Sequence, residues 1–180
     1  MTADDRPRRP ASSNLPSTFP PTQTPSGDWD DMFDGTRAGW TFYLSHLSET
    51  IRHHLGQLRT VVYERRSSTL TRDALGARHF GSGGLAIAPA HPRPEAPVEM
   101  TLAGARRRLE VQHVRLPTHL FGKLPELGGA LLLVEMEPGR TGPVQTGVWL
   151  STWGLAPDVQ ESLRTGLRTM ADAVFGPHAG

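Results

Sequence analysis

The last fifty residues of the chain constrain its fold most. Residues 129–137 (GALLLVEME) form a short apolar run, and residues 144–153 (VQTGVWLSTW) are rich in β-branched and aromatic residues. The PGRTGP segment between them is typical of a connection between two paired strands. Residues 157–175 have helical spacing, which predicts a long amphipathic helix that packs on the sheet. The residues of its apolar stripe are Val159, Leu163, Leu167, Met170 and Val174.

Composition and charge exclude several classes of protein. The 180 residues include no cysteine, which rules out disulfides and thiolate metal sites. A formal net charge of +1 gives no general attraction for nucleic acid. No apolar run approaches the roughly 18 residues of a membrane span, and Arg8–Arg9 is followed by Pro10 rather than by the apolar core of a signal peptide. We predict a cytoplasmic protein with neither nucleic acid nor a membrane as its partner.

The N-terminal third divides into a tail and a helix. Residues 1–27 are rich in Pro, Ser and Thr, a composition that predicts disorder. Residues 28–58 contain a strong helical stripe that ends at Gly56. Because an isolated helix of this length is marginal in water, we expect the stripe to pack on the rest of the chain or on a second copy of it. The stripe consists of Trp40, Tyr43, Leu44, Leu47, Ile51 and Leu55.

The residues after this helix predict a strand and a short helix. Residues 59–67 can form a strand, and residues 70–80 a helix capped by Thr69 or Thr71. The GSGG segment at residues 81–84 then breaks the helix as a turn.

The middle of the chain predicts further strands joined by short turns. Residues 85–88 are expected to form a strand, residues 98–103 and 107–116 a hairpin, and residues 117–127 are ambiguous. Sequential strands followed by a terminal helix favour an α+β fold, with an antiparallel sheet packed on that helix. The residues expected on one face of the second hairpin strand are Leu109, Val111 and His113.

This order of elements resembles the helix-grip fold of the START-like (SRPBCC) superfamily, in which a curved antiparallel sheet wraps a long C-terminal helix. Residues 39–56 (GWTFYLSHLSETIRHHLG) resemble the closing helix of such a domain. Residues 70–85 (LTRDALGARHFGSGGL) and 129–176 resemble the beginning and end of another. The likeness within the superfamily is greatest to bacterial homologues of the heat-shock ATPase activator.

The resemblance implies a division of the chain and a kind of ligand. Residues 28–58 would be the closing helix of a lost or truncated helix-grip domain, and residues 59–176 a compact helix-grip domain. The fold implies an apolar cavity between sheet and C-terminal helix for a small hydrophobic molecule. A core packed entirely with side chains is the alternative. The residues expected to contact the ligand are His113, Met136, Trp149, Leu163, Leu167 and Met170.

No group of residues predicts chemistry. His46 and His53 share a helix face, but no nearby carboxylate joins them in the pattern that a zinc motif requires, and adjacent histidines such as His53 and His54 point about 100° apart. Glu135 and Glu137 point to solvent if the apolar residues between them point inward. We therefore expect no catalytic residue, no metal and no cofactor.

Three functions follow from this reading. The first is a non-catalytic module that binds a small hydrophobic molecule. The second is a co-chaperone or protein-interaction module of the ATPase-activator type, with a protein partner or a homodimer formed through the helix at residues 39–56. The third is an enzyme of the polyketide cyclase or aromatase kind, for which His113 is the candidate polar group.

Overall fold

The computed structural model describes residues 26–137 and 144–176, with the side chains of residues 26–35, 38 and 137 left out. The predicted turn at residues 138–143 and almost all of the predicted tail lie outside the described residues. Within these ranges no helix is long and apolar enough to cross a membrane. The elements are α1 Ser26–His53, β1 Arg59–Ser68, α2 Arg72–Phe80, β2 Pro97–Leu102, β3 Ala105–Arg115, β4 His119–Leu124, a 3₁₀ turn Pro125–Leu127, β5 Ala130–Glu137, β6 Val144–Trp153 and α3 Pro157–Phe175.

The strands form one six-stranded antiparallel sheet in the order β1-β6-β5-β4-β3-β2. Each strand after β1 pairs with the one that follows it, and β6 returns to pair with β1. The predicted α+β architecture, a sheet packed on a C-terminal helix, is confirmed.

The inner face of the sheet, which we define as the face toward α3, carries the main core. Leu132 and Leu150 are cross-strand partners on this face, and both are fully buried. Leu163, Leu167, Met170 and Val174 of α3 pack into the same cluster, whereas Val159 is exposed. A Cβ atom at Gly166 would lie 2.3 Å from Cβ of Ala103, so α3 approaches the β2–β3 turn where only glycine fits.

The outer face of the sheet is covered in part by α1, which makes the molecule three layers thick. Phe42 meets Phe121 edge to face, with 5.2 Å between ring centroids. The ring of His54 stacks on Trp153 at 4.1 Å. Glu49 Oε1 accepts a hydrogen bond of 2.5 Å from Nζ of Lys123 on β4. The helix predicted at residues 39–56 therefore forms, although it begins at Ser26 and ends at His53.

The prediction of a strand at residues 85–88 is wrong. The amides of Leu85 and Ile87 donate to the carbonyls of His79 and Phe80, at 2.7 and 3.0 Å. These carbonyls lie at the C-terminal end of α2, where no intrahelical donor remains for them. The segment satisfies the end of the helix instead of forming a strand. Its links to β2 are an isolated bridge between Ala88 and Glu99 and a hydrogen bond of 2.7 Å from the Thr101 amide to the Leu85 carbonyl.

The prediction that His113 shares a face with Leu109 and Val111 is also wrong. Leu109 and Val111 are buried on the inner face, but the register of β3 shifts between Val111 and His113. An extra residue in one strand reverses the faces of the residues that follow it. His113 pairs with Phe121 on the outer face, and Val114 replaces it on the inner one.

Candidate functional site

An apolar pocket of about 480 Å³ lies between α2, the loop that follows it and the β3–β4 turn. We call it the α2 pocket. Its volume falls within the usual range for small-molecule sites. It is open to solvent on one side. The lining residues are Asp73, Gly76, Ala77, Phe80, Gly81, Ile87, Ala90, His91, Leu116 and Pro117.

Local sequence determines how α2 forms one wall of this pocket. Thr71 caps the helix, because its Oγ1 accepts a hydrogen bond from the amide of Ala74 at 3.3 Å. A Cβ atom at Gly76 would lie 2.5 Å from Cβ of Pro117. The helix therefore sits directly on the β3–β4 turn, and the two together form a continuous apolar wall.

The α2 pocket borders the main core. Phe80 and Leu116 line the pocket and also pack against the core cluster of the inner face, and Ile87 belongs to that cluster. The two ionisable side chains of the lining, Asp73 and His91, are both exposed. An apolar interior with polar groups at its rim suits a ligand that is mostly hydrocarbon and carries few polar atoms.

The structure brings together only some of the six predicted ligand-binding residues. Leu163, Leu167 and Met170 lie on the buried side of α3, in the core cluster of the inner face. Met136 is fully buried, and its alternation with Leu133 and Glu135 puts it on the inner face as well. None of the six lines the α2 pocket.

His113 and Trp149 lie on the opposite face of the sheet from these residues. Trp149 stacks on Tyr63 with 3.8 Å between ring centroids, and its Nε1 donates to Glu135 Oε1 at 3.0 Å. The sheet separates both residues from α3 and from the α2 pocket.

His79, beside the α2 pocket, is a residue that the sequence reasoning missed. It is completely buried, and neither ring nitrogen has a hydrogen-bond partner among the described residues. Phe80 and Phe175 contact its ring, each with 5.2 Å between centroids. Burial lowers the pKa of His79 to about 4, so the imidazole is neutral at pH 7. Its four-residue spacing from Leu75 was a signal that it shares the buried face of α2.

A second, polar pocket of about 720 Å³ lies where α1 meets the outer face. Glu49, Lys123 and His54 are among its lining residues, and Glu49 Oε2 also lies 3.9 Å from Nε2 of His53. Burial and the nearby Arg59 guanidinium lower the pKa of His46 on the same face of α1. No group of three or more His, Asp or Glu residues in the described part of the chain could hold a metal ion.

Comparison with known proteins identifies the fold. No protein-family model matches the sequence, and no curated protein matches it. Among solved structures, DynU16 from the dynemicin biosynthetic locus superposes with a TM-score of 0.53 at 15% identity, over 63% of this chain and 45% of that one. This chain therefore spans less than half the length of DynU16.

Two further solved structures are similar over most of their own length. The Aha1 dimer from Colwellia psychrerythraea has a TM-score of 0.46 at 15% identity, over 66% of this chain and 99% of that one. Norcoclaurine synthase from Thalictrum flavum, in complex with dopamine and hydroxybenzaldehyde, has a TM-score of 0.47 at 13% identity, over 68% and 87%. At these identities the likeness concerns the fold, not the activity.

Proposed function

We propose, since this chain has the helix-grip fold of the START-like proteins, that it binds a small hydrophobic molecule in the α2 pocket. The observation that carries the proposal is the pocket itself, which is mostly apolar, is bounded by α2 and the β3–β4 turn, and borders the core. The ligand class that fits is a small molecule that is mostly hydrocarbon. Such a ligand gains free energy mainly by removing its apolar surface from water.

The buried residues of α3 would form the deeper wall of this site. Phe80 stands between the pocket and the core cluster that contains Leu163, Leu167 and Met170. A change in the Phe80 rotamer would open the pocket toward this cluster. The predicted contact to His113 or Trp149 has no such route, because both lie across the sheet.

Binding of a neutral fluorescent probe, N-phenyl-1-naphthylamine, tests the proposal. Ala77 is exposed on α2 and lines the pocket, so Ala77→Phe fills part of its volume. We expect this variant to weaken probe binding at least about tenfold, which corresponds to about 1.4 kcal/mol. A native mass spectrum of the purified protein would show any ligand retained from the cell.

The matched control is Ala74→Phe, at an exposed position of the same helix that does not line the pocket. It adds the same ring and should bind the probe like the unmodified protein. Leu47→Glu on α1 should also bind normally, which excludes probe bound to that helix. Equal affinity of the Ala77→Phe and Ala74→Phe variants would refute the pocket as the binding site.

A protein-interaction role is the second candidate, and the surface of α1 favours it. Large apolar side chains of this helix face solvent rather than the sheet. Exposed apolar patches of this kind are typical of interaction sites. The cyclase-like alternative has less support, because its candidate polar group, His113, lies outside the α2 pocket.

A further inference from the structure

A row of large, exposed apolar side chains runs along α1. The sequence predicts this stripe as the buried face of the helix, yet the structure turns it away from the sheet. The exposed fraction of its side chains runs from 53% at Ile51 to 74% at Leu55. We call this surface the α1 stripe, and it consists of Trp40, Tyr43, Leu44, Leu47 and Ile51 of the helix and of Leu55, two residues past its end.

The opposite side of α1 explains why the stripe is free. Phe42, His46 and Glu49 follow one another at four- and three-residue steps and face the sheet, where they contact Phe121, Trp153 and Lys123. At about 100° per residue, Leu44 and Leu47 lie on the far side of the helix from these three. The sheet therefore covers the side of the helix that carries Phe42, His46 and Glu49, and the apolar stripe on the other side stays exposed.

The spacing of the stripe indicates what covers the second side. Trp40, Leu44, Leu47 and Ile51 follow steps of four, three and four residues. This is the a/d pattern with which one α-helix packs against another. The occupant that this pattern fits is a helix of similar length rather than a strand or a small molecule.

We propose that the occupant is a second copy of this chain, bound through an antiparallel pair of α1 helices. The inference rests on the second candidate function, that α1 is an interaction surface. A fully accessible aromatic side chain presents roughly 150–250 Å² and a leucine or isoleucine less, so the six at their exposures present on the order of 600 Å². A stable interface buries about 800 Å² on each partner, so one stripe against another nearly suffices.

Charge along the helix selects the antiparallel arrangement. The α1 sequence has four aspartates in its first nine residues and ends in Arg52 and His53. Two parallel copies would bring the two acidic ends together and the two basic ends together, whereas an antiparallel pair places the two acidic ends at opposite ends of the dimer. A two-fold axis near the middle of the stripe then pairs Leu47 of one copy with Leu44 of the other, which closes the dimer.

Sedimentation velocity of the full chain tests the proposal. We expect the unmodified protein to be a dimer at about 10 µM and above. The doubly acidic variant Leu44→Glu/Leu47→Glu and the doubly basic variant Leu44→Lys/Leu47→Lys should each be monomeric, with dissociation constants raised at least about 100-fold, because like charges meet at the centre of the pair. An equimolar mixture of the two variants should restore a dimer. Both variants keep good helix formers at exposed positions, so the fold should be unchanged.

The control variant is Thr41→Glu, which adds a charge to α1 at an exposed position outside the stripe. It should remain dimeric. A monomeric unmodified protein at all concentrations would overturn the second copy as the occupant while leaving α1 available to another protein. A dimer that persists in both charged variants would remove the stripe from the interface, and with it the interaction role of α1. Two monomeric variants that do not associate when mixed would also overturn the proposed pairing.

Discussion

His79 is the residue whose environment makes the sharpest prediction. Its pKa falls from an ordinary 6.5 to about 4 because the ring is buried away from water. Between these two values the unfolded chain binds a proton that the folded chain does not, so stability falls as the pH drops from 6.5 toward 4. Urea unfolding should show that His79 alone lowers the free energy of unfolding by about 2 kcal/mol between about pH 7.5 and about pH 5.

Comparison with His79→Leu isolates this contribution from the other titrating groups. The leucine keeps an apolar contact with Phe80 and Phe175 and has no proton to bind, so its stability should depend less on pH by the same amount. His91→Leu, at an exposed position, is the control and should keep the full pH dependence. If the curves of His79→Leu and the unmodified protein run parallel, then His79 is not buried as a neutral ring.

Single residues also mark what the sequence could not predict. The alternation of β3 was clear, but one extra residue between Val111 and His113 reverses the faces after it. No pattern in the sequence signals this bulge, because β3 alternates well on either side of it. Because of the bulge, His113 lies on the outer face and not beside the predicted cavity.

At the scale of elements, a charged network holds α3 on the edge strand β1. Arg66 donates from Nη1 to Glu64 Oε2 at 2.7 Å and from Nη2 to Asp172 Oδ1 on α3 at 3.2 Å. The side chains of Arg66 and Glu64 are each only 9% exposed. Arg66→Leu leaves the Glu64 carboxylate poorly paired, so we expect a loss of about 3 kcal/mol in the free energy of unfolding.

Two further variants separate pairing from packing in this network. The double variant Glu64→Leu/Arg66→Leu should recover at least about 2 kcal/mol of the loss, because no buried charge remains unpaired. Arg168→Leu should cost less than about 1 kcal/mol, since Arg168 is exposed and reaches Glu64 at 3.5 Å. A double variant no more stable than Arg66→Leu would show that the arginine acts through packing alone.

The elements themselves were easier to predict than their faces. The helix predicted at residues 157–175 and the strand at 144–153 match α3 and β6, because each has a single apolar pattern of one period. On α1 the sequence shows one large apolar stripe, and that stripe was expected to be buried. The aromatic outer face of the sheet instead selects Phe42 and His46, a choice that depends on the shape of a partner far away in the chain.

For the whole molecule, the stability of α1 distinguishes an integral third layer from an appendage of the compact domain predicted at residues 59–176. Phe42 is the centre of its contact with the sheet, because the phenyl ring is buried against Phe121. If the three layers form one cooperative unit, Phe42→Ala should cost about 3 kcal/mol of total stability. The Tm should then fall by roughly 5–10 °C in a single transition followed by circular dichroism.

The exposed neighbour Thr41 provides the control, since Thr41→Ala on the same helix should change the Tm by little. A second, lower transition in Phe42→Ala, with the main Tm unchanged, would mean that α1 melts separately. That result would support the division of the chain at residue 58. A single lowered transition would instead mean that the outer cluster around Phe121 and Trp153 needs α1 to exclude water. In that case α1 belongs to the folded domain, and its free apolar stripe is a surface held rigid by the sheet beneath it.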